Sequence, residues 1–315
     1  MELKLLEDFL CLNDTRNFSR AAEVRNITQS TLSKRIRTLE HWVGATLVDR
    51  SSYPIELTPE GAAMVPQARE LVSTFQGMRA GIRAFATPAR NSIRIGALHT
   101  LRVTFLPQLR RHAEAELGPL MVENNGSSAA YAQTLRQFRN GETDVLLTYV
   151  HPSVANGLDS SGYDTLHMGH DRLVPVSAPD RDGSALHRLD TGGVVRFLSY
   201  GQSSFFAQAL APLLAERPMA LNVAATNAMS LGLQSLAKVG CGVAWVPHSL
   251  AADDLASGEL VPAAGPDWAL DLEIRLFRHR RSCRPVTERF WAAAAGMAEA
   301  EAGRDAGLRA LHHAG

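Results

Sequence analysis

Just after Thr28 the chain carries Gln29, Ser30, Thr31 and Ser33, followed by Lys34, Arg35 and Arg37. An amide and short hydroxyls at the start of a helix suit base edges in a major groove, and the cations behind them suit phosphates. Gln29 can pair bidentately with N6 and N7 of adenine. Replacing it should relax specificity at one base, whereas replacing Arg35 should weaken all DNA alike and lower the salt slope by about one. No other group of residues is so well defined chemically. The sequence holds no Gly-rich phosphate loop, no GxSxG and no paired carboxylates, so neither an enzyme nor a cofactor is expected. Its 11 histidines lack ligand spacing with a carboxylate partner, so no metal is expected.

Such a row of side chains needs a helix with a well-supported back. Thr28 is a good N-cap for a helix that begins at Gln29. Ala21, Ala22, Val24, Ile27, Leu32, Ile36 and Leu39 give the region 18–40 an apolar side, and the small alanine pair lets a neighbouring helix approach closely. Leu3, Leu5, Leu6, Phe9, Leu10 and Leu12 form a supporting first helix. Beyond Gly44, the turn Ser51-Ser52-Tyr53-Pro54 predicts a small hairpin, or wing, with Arg50 and Tyr53 near phosphate. A merely solvated amphipathic hairpin has a similar pattern. Local charge adds to the first reading and leaves the second open. Residues 15–50 hold seven basic residues against three acids, on a chain whose net charge is zero. A local basic face on a neutral chain fits a DNA-binding module joined to something else.

Ala21-Ala22, Thr28-Gln29, Leu32-Ser33, Ile36, Leu39-Glu40, Gly44, Leu47 and Arg50 resemble the N-terminal signature of the LysR-type transcriptional regulators. The resemblance is strong over roughly the first 90 residues. Two positions depart from it: Arg25 replaces the family's usual buried leucine, and Val48 its common phenylalanine. The resemblance implies a winged helix-turn-helix, then a long linker helix. It further implies an effector-binding domain of two α/β subdomains, akin to periplasmic binding proteins.

Thr58-Pro59-Glu60 is a clean helix start. Ala68, Phe75 and Ile82 then recur at one seven-residue interval, and Met64, Leu71, Met78 and Phe85 at another, with Val65 and Val72 widening the stripe. Such a stripe can pack on its own domain. Here it lies between a small module and a boundary at Thr87-Pro88, which favours a dimerising coiled coil. In the resembled family this helix pairs two subunits over a pseudo-palindromic site.

From residue 91 strand and helix alternate, which predicts βαβ units around a parallel sheet. Strands are expected at 92–97, 120–123, 144–150, 166–177, 194–199, 221–225, 240–247 and 270–277, and helices at 100–116, 127–141, 205–216, 229–239 and from 285. The expected domains are 1–58 for DNA, 59–88 for linkage, 89–303 for the effector and 304–315 as a tail. Crossovers near 163 and 267 divide the effector domain into subdomain I, 92–163 and 268–303, and subdomain II, 164–267.

Ligands of open α/β sheets bind beyond the carboxyl ends of strands. Those ends are polar here, and several precede helices whose free N–H groups attract anions, so an anionic effector is favoured. The family's inducer cleft uses such loops. It points to Thr100, Thr148, Ser203 and Thr226, then to His99, Asn125 and Tyr200, although each can also simply cap the following helix.

Three cysteines (Cys11, Cys241, Cys283) without CxxC argue against a disulfide framework. No signal peptide or run of 18 apolar residues is found, so a cytoplasmic protein off the membrane is expected. Some relatives sense peroxide through a cysteine pair, which brings Cys241 and Cys283 into view. The stretch 222–247, with Arg25-Asn26, is similar to the family's hypochlorite-responsive branch, where oxidation of Met229 would turn an apolar group polar. The resulting expectation is a regulator that binds promoter DNA as a homodimer paired through 59–86, or as a homotetramer. It would answer a small-molecule effector and contact RNA polymerase if it activates. The rival outside this class is a solute-binding protein, which would have no use for the first 90 residues.

Overall fold

The computed structural model describes residues 2–52, 54–85, 92–123, 131–158, 162–189, 193–217, 219–280 and 284–312. The chain divides into two compact units, one of Met1–Arg79 with Leu158–Tyr163, the other of Ala80–Gly157 with Asp164–Gly315.

In the first unit α1 (Leu3–Thr15) buries Leu5, Leu6, Phe9 and Leu12, the three- and four-residue spacing of one helical face. A short α2 (Phe18–Val24) starts on Asn17, whose side chain accepts from the Arg20 amide. Asn26, at φ 54°, makes the left-handed step of the turn that follows. Thr28 caps α3 (Gln29–Val43), and Gly44 at φ 78° ends it. Leu32, Ile36 and Leu39 are fully buried against Ala21 and Ala22. The wing is β1 (Val48–Asp49) paired antiparallel with β2 (Glu56–Leu57).

The long α4 (Pro59–Phe85) begins hard against the wing. Thr58 donates its hydroxyl to the Thr46 carbonyl and accepts from the Gly61 amide. A Cβ on Gly61 would fall 2.0 Å from the Leu47 carbonyl oxygen, so only glycine permits this approach. Ala68 and Val72 join the helix-turn-helix core, with Met64 and Val65 packed on it, whereas Leu71, Phe75 and Met78 stand exposed. One stripe thus serves two surfaces. The side chains of Ile82 and Phe85 lie outside the description.

The second unit opens with β3 (Ser92–Ala97), α5 (His99–Thr104), α6 (Leu106–Leu117), β4 (Met121–Glu123), α7 (Tyr131–Arg139) and β5 (Val145–Val150). The long β6 (Tyr163–Ser177) leads to β7 (Val195–Tyr200), α8 (Phe205–Glu216), β8 (Leu221–Asn227), α9 (Ser230–Lys238) and β9 (Val243–Pro247). After α10 (His248–Ser257) and β10 (Val261–Pro262), a 3-10 turn at Pro266–Trp268 precedes β11 (Leu270–His279) and α11 (Pro285–His312). The sheet order is β4-β3-β5-β11-β6-β9-β7-β8, with β10 beside β6. Each half keeps a parallel trio, β4-β3-β5 and β8-β7-β9, while β11 and β6 run antiparallel to their neighbours β5 and β9.

Three details depart from the expected elements. The helical run after β3 is broken at Phe105, because Pro107 begins a fresh helix there. The strand expected from Gly240 starts only at Val243. The helix α10 was not anticipated, since it starts directly on the end of a strand with no polar cap.

Candidate nucleic-acid interface and ligand cleft

On α3 the Thr28 hydroxyl accepts from the Thr31 amide at 3.2 Å and lies 3.0 Å from the Ser30 hydroxyl. Gln29 and Ser30 are exposed, and Thr31 and Ser33 half-buried. The Ser19 hydroxyl of α2 donates to Gln29 Oε1 at 3.3 Å, which steadies the amide at the helix mouth. Lys34 and Arg37 are exposed, and among the described residues neither has a carboxylate within ion-pair distance.

The other two expected phosphate ligands are placed differently. Arg35 donates to Asp8 Oδ2 at 2.9 Å rather than pointing into solvent. Arg50 donates to Glu40 Oε2 at 2.7 Å. The other oxygen of Glu40 accepts from the Leu47 and Val48 amides, so this carboxylate ties α3 to the wing. Both arginines answer carboxylates brought close only by folding. Arg25 explains its own departure from the expected leucine: it reaches back to α1, pairing with Asp8 at 2.6 Å and Glu7 at 2.8 Å. Burial works against its charge, but the two carboxylates outweigh that and raise its pKa. Tyr53 lies outside the described residues.

In the second unit the strand ends converge on one hydrogen-bonded chain. The Thr100 hydroxyl, at the start of α5, donates to Ser230 Oγ at 3.1 Å. Tyr200 Oη, at the end of β7, lies 2.8 Å from both Ser230 Oγ and the Trp245 carbonyl. A carbonyl only accepts, so Tyr200 donates to it and Ser230 donates to Tyr200. All three side chains are buried, and burial pushes the Tyr200 phenol far above its usual range. Thr100 belongs to one half of the sheet and Tyr200, Ser230 and Trp245 to the other, so the chain of hydroxyls spans both.

A second link lies beside it. Tyr149 of β5 donates to Asp171 Oδ2 at 2.8 Å, and the Ser249 hydroxyl donates to the same oxygen at 2.6 Å. Phe206 lies between the rings of Tyr149 and Tyr200, tilted against both, with centroids at 5.5 and 5.1 Å. The contact between the halves is therefore built from aromatic rings and hydroxyls.

Of the expected cleft residues, Thr100 and Tyr200 meet through Ser230, which had not been singled out. A serine at the first position of a helix signals nothing unusual in sequence. Thr148 is fully buried within β5. His99 is half-buried beside Thr100. Ser203 is exposed, and the cap of α8 is its neighbour Ser204, which accepts from the Ala207 amide. Thr226 is an exposed residue of β8. Asn125 lies outside the described residues, as does Cys283. Among the described residues no helix is long and apolar enough to cross a membrane, and no cluster is placed to hold a metal ion.

Known proteins share both units. Residues 3–62 match the bacterial regulatory helix-turn-helix protein model of the lysR family, and residues 86–298 match the LysR substrate binding domain. The HTH-type transcriptional regulator YjiE of Escherichia coli K12 is 28% identical over 292 residues, covering 92% of this chain and 93% of the relative. Vibrio fischeri DarR, solved in complex with DNA, is 29% identical with a TM-score of 0.58, over 94% of this chain and 98% of that one. Full-length HypT of Salmonella typhimurium, a hypochlorite-specific LysR-type regulator, is 26% identical with a TM-score of 0.59, over 95% and 99%. The chain belongs to the LysR family of transcriptional regulators, with a helix-turn-helix for DNA and a substrate-binding domain behind it.

Proposed function

We propose that this regulator reads double-stranded promoter DNA through α3, with Gln29, Ser30, Thr31 and Ser33 at base edges and Lys34 and Arg37 on phosphates. The observation that carries this is the exposed row Gln29, Ser30, Lys34 and Arg37 on one capped helix. Arg35 and Arg50 support the reading surface instead of touching phosphate directly. The protein acts in the cytoplasm as a homodimer paired along 59–86, assembling further into a tetramer, and contacts RNA polymerase where it activates. Its effector is a small molecule that enters between the sheet halves and competes for the hydroxyls of Thr100, Ser230 and Tyr200. That chain of hydroxyls supports the reading because it is the polar seam between the two halves.

The test is Gln29→Ala against a duplex that wild type selects from a randomised pool. Specificity relaxes at one position per half-site, with about 1–3 kcal/mol of discrimination lost there. An equal loss on selected and random DNA refutes base reading.

A second reading is favoured by Met229. It is 40% exposed and directly precedes Ser230 at the head of α9, so an oxidant can reach a residue adjoining the seam. The likeness to a hypochlorite-specific regulator supports the same reading.

A further inference from the structure

Asp8 is a fully buried carboxylate in a domain whose outer face must carry positive charge. Its Oδ1 takes Nε of Arg25 at 2.6 Å, and its Oδ2 takes a terminal nitrogen of Arg35 at 2.9 Å. Arg25 turns its other edge to Glu7 Oε2 at 2.8 Å, and Glu7 Oε1 accepts from Gln76 of α4 at 3.4 Å. The network therefore ties α1 to the end of α2, to α3 and to α4.

Two consequences follow from elementary electrostatics. A buried carboxylate is held only by close, well-aligned partners, and planar guanidinium groups fix direction as well as distance. Asp8 therefore adds a directional link between α1 and α3 beside the apolar core that packs them. Arg35 also has its charge matched at contact distance on the protein side, so it adds little to the field that attracts phosphate. Its neighbours Lys34 and Arg37 carry no such tether among the described residues.

We propose that Asp8 is a positioning residue for DNA reading, which registers the recognition helix through Arg25 and withholds Arg35 from phosphate. The chain thereby gives up one sequence-independent contact in favour of discrimination. This rests on the reading of α3 as the DNA-contacting helix.

The experiment measures affinity against salt for two duplexes, one selected by wild type from a randomised pool and one shuffled. Asp8→Asn keeps the shape and removes the charge. Arg35 is then free, and the salt slope on shuffled DNA steepens by about one phosphate's worth, 0.9 in log–log terms. The selected-to-shuffled affinity ratio falls roughly tenfold. Adding Arg35→Gln to Asp8→Asn returns the slope to that of wild type. Parallel weakening on both duplexes at unchanged slope would mean a merely structural role and overturns the proposal. Arg35→Gln alone decides the same point with the acid itself retained and its Arg25 partner still in place. It leaves the slope on shuffled DNA unchanged, whereas Lys34→Gln lowers it by about one. A loss of about one for Arg35→Gln also overturns the proposal. If wild type enriches no duplex from the pool, base reading itself fails, yet the slopes on shuffled DNA still show whether Asp8 withholds Arg35.

Discussion

Met229 shows how much one side chain can change when its neighbours are fully engaged. Its amide donates to Asn227 Oδ1 at 2.9 Å, and its carbonyl accepts from the Gly232 and Leu233 amides, so the backbone at the head of α9 is fixed. The thioether alone is free to change polarity. Oxidation to the sulfoxide adds a strong acceptor beside Ser230, whose hydroxyl already serves Thr100 and Tyr200. Mild hypochlorite treatment is expected to shift the DNA affinity of wild type by several-fold, and Met229→Leu should abolish the response. Unchanged binding of oxidised wild type would sink the oxidant reading. The same residues mark where sequence reasoning stops. Thr100 and Tyr200 stand out because they lie at strand ends, where ligands of open α/β sheets bind and where the family's inducer cleft is expected. Ser230, and the Asp8 partner of Arg35, do not, because their meaning depends on neighbours 30 or 27 residues away along the chain.

At the scale of elements, α4 carries two jobs on one stripe. Ala68 is buried in the first unit, while Leu71, Phe75 and Met78 are 52, 46 and 51% exposed. Three large apolar side chains at this spacing form the face that a second α4 would cover. On the proposed pairing along 59–86, Phe75→Glu should therefore dissociate the dimer and leave the monomer folded. Burying about half a phenylalanine from each subunit is worth roughly 2 kcal/mol, so the dimer Kd should rise at least roughly thirtyfold. Ala68→Glu is expected to lower the Tm of the first unit instead, since it puts a charge into the core. Sedimentation and thermal unfolding distinguish the two. A Phe75→Glu protein that stays dimeric at nanomolar concentration would place the interface elsewhere. The element boundaries themselves were largely legible: the caps Thr28 and Thr58 and the terminator Gly44 announce their helices through local chemistry. The division of the heptad face was not, because an apolar residue looks the same whether its partner is its own core or another chain. Gly61 likewise reads as an ordinary glycine until the Leu47 carbonyl is seen beneath it.

Over the whole molecule, balanced charge hides an uneven division of labour. The net charge is zero, yet the DNA-reading region is locally basic, so attraction to DNA is confined to one face. Two imidazoles of the second unit, those of His279 and His151, are perturbed by burial, and this makes its stability depend on pH in a predictable direction. His279 of β11 is buried, stacked on Phe138 at 4.8 Å, and its Nε2 donates to the Phe138 carbonyl at 2.8 Å. Burial pushes its pKa below the ordinary 6.5, and the exposed imidazole of the unfolded chain keeps that ordinary value. His151 is shifted the same way, also by burial. Below pH 6.5 the unfolded state thus binds protons that the folded state refuses, so unfolding takes up protons and stability falls as pH falls. Above that pH both states are neutral at these positions and the contribution is flat. Urea unfolding at pH 7.5 and pH 5.5 should show wild type losing about 1 kcal/mol more than His279→Gln, whose amide can still reach the Phe138 carbonyl. Parallel losses in the two proteins would show that His279 takes up its proton without unfolding, and that the link it makes between β11 and α7 tolerates charge.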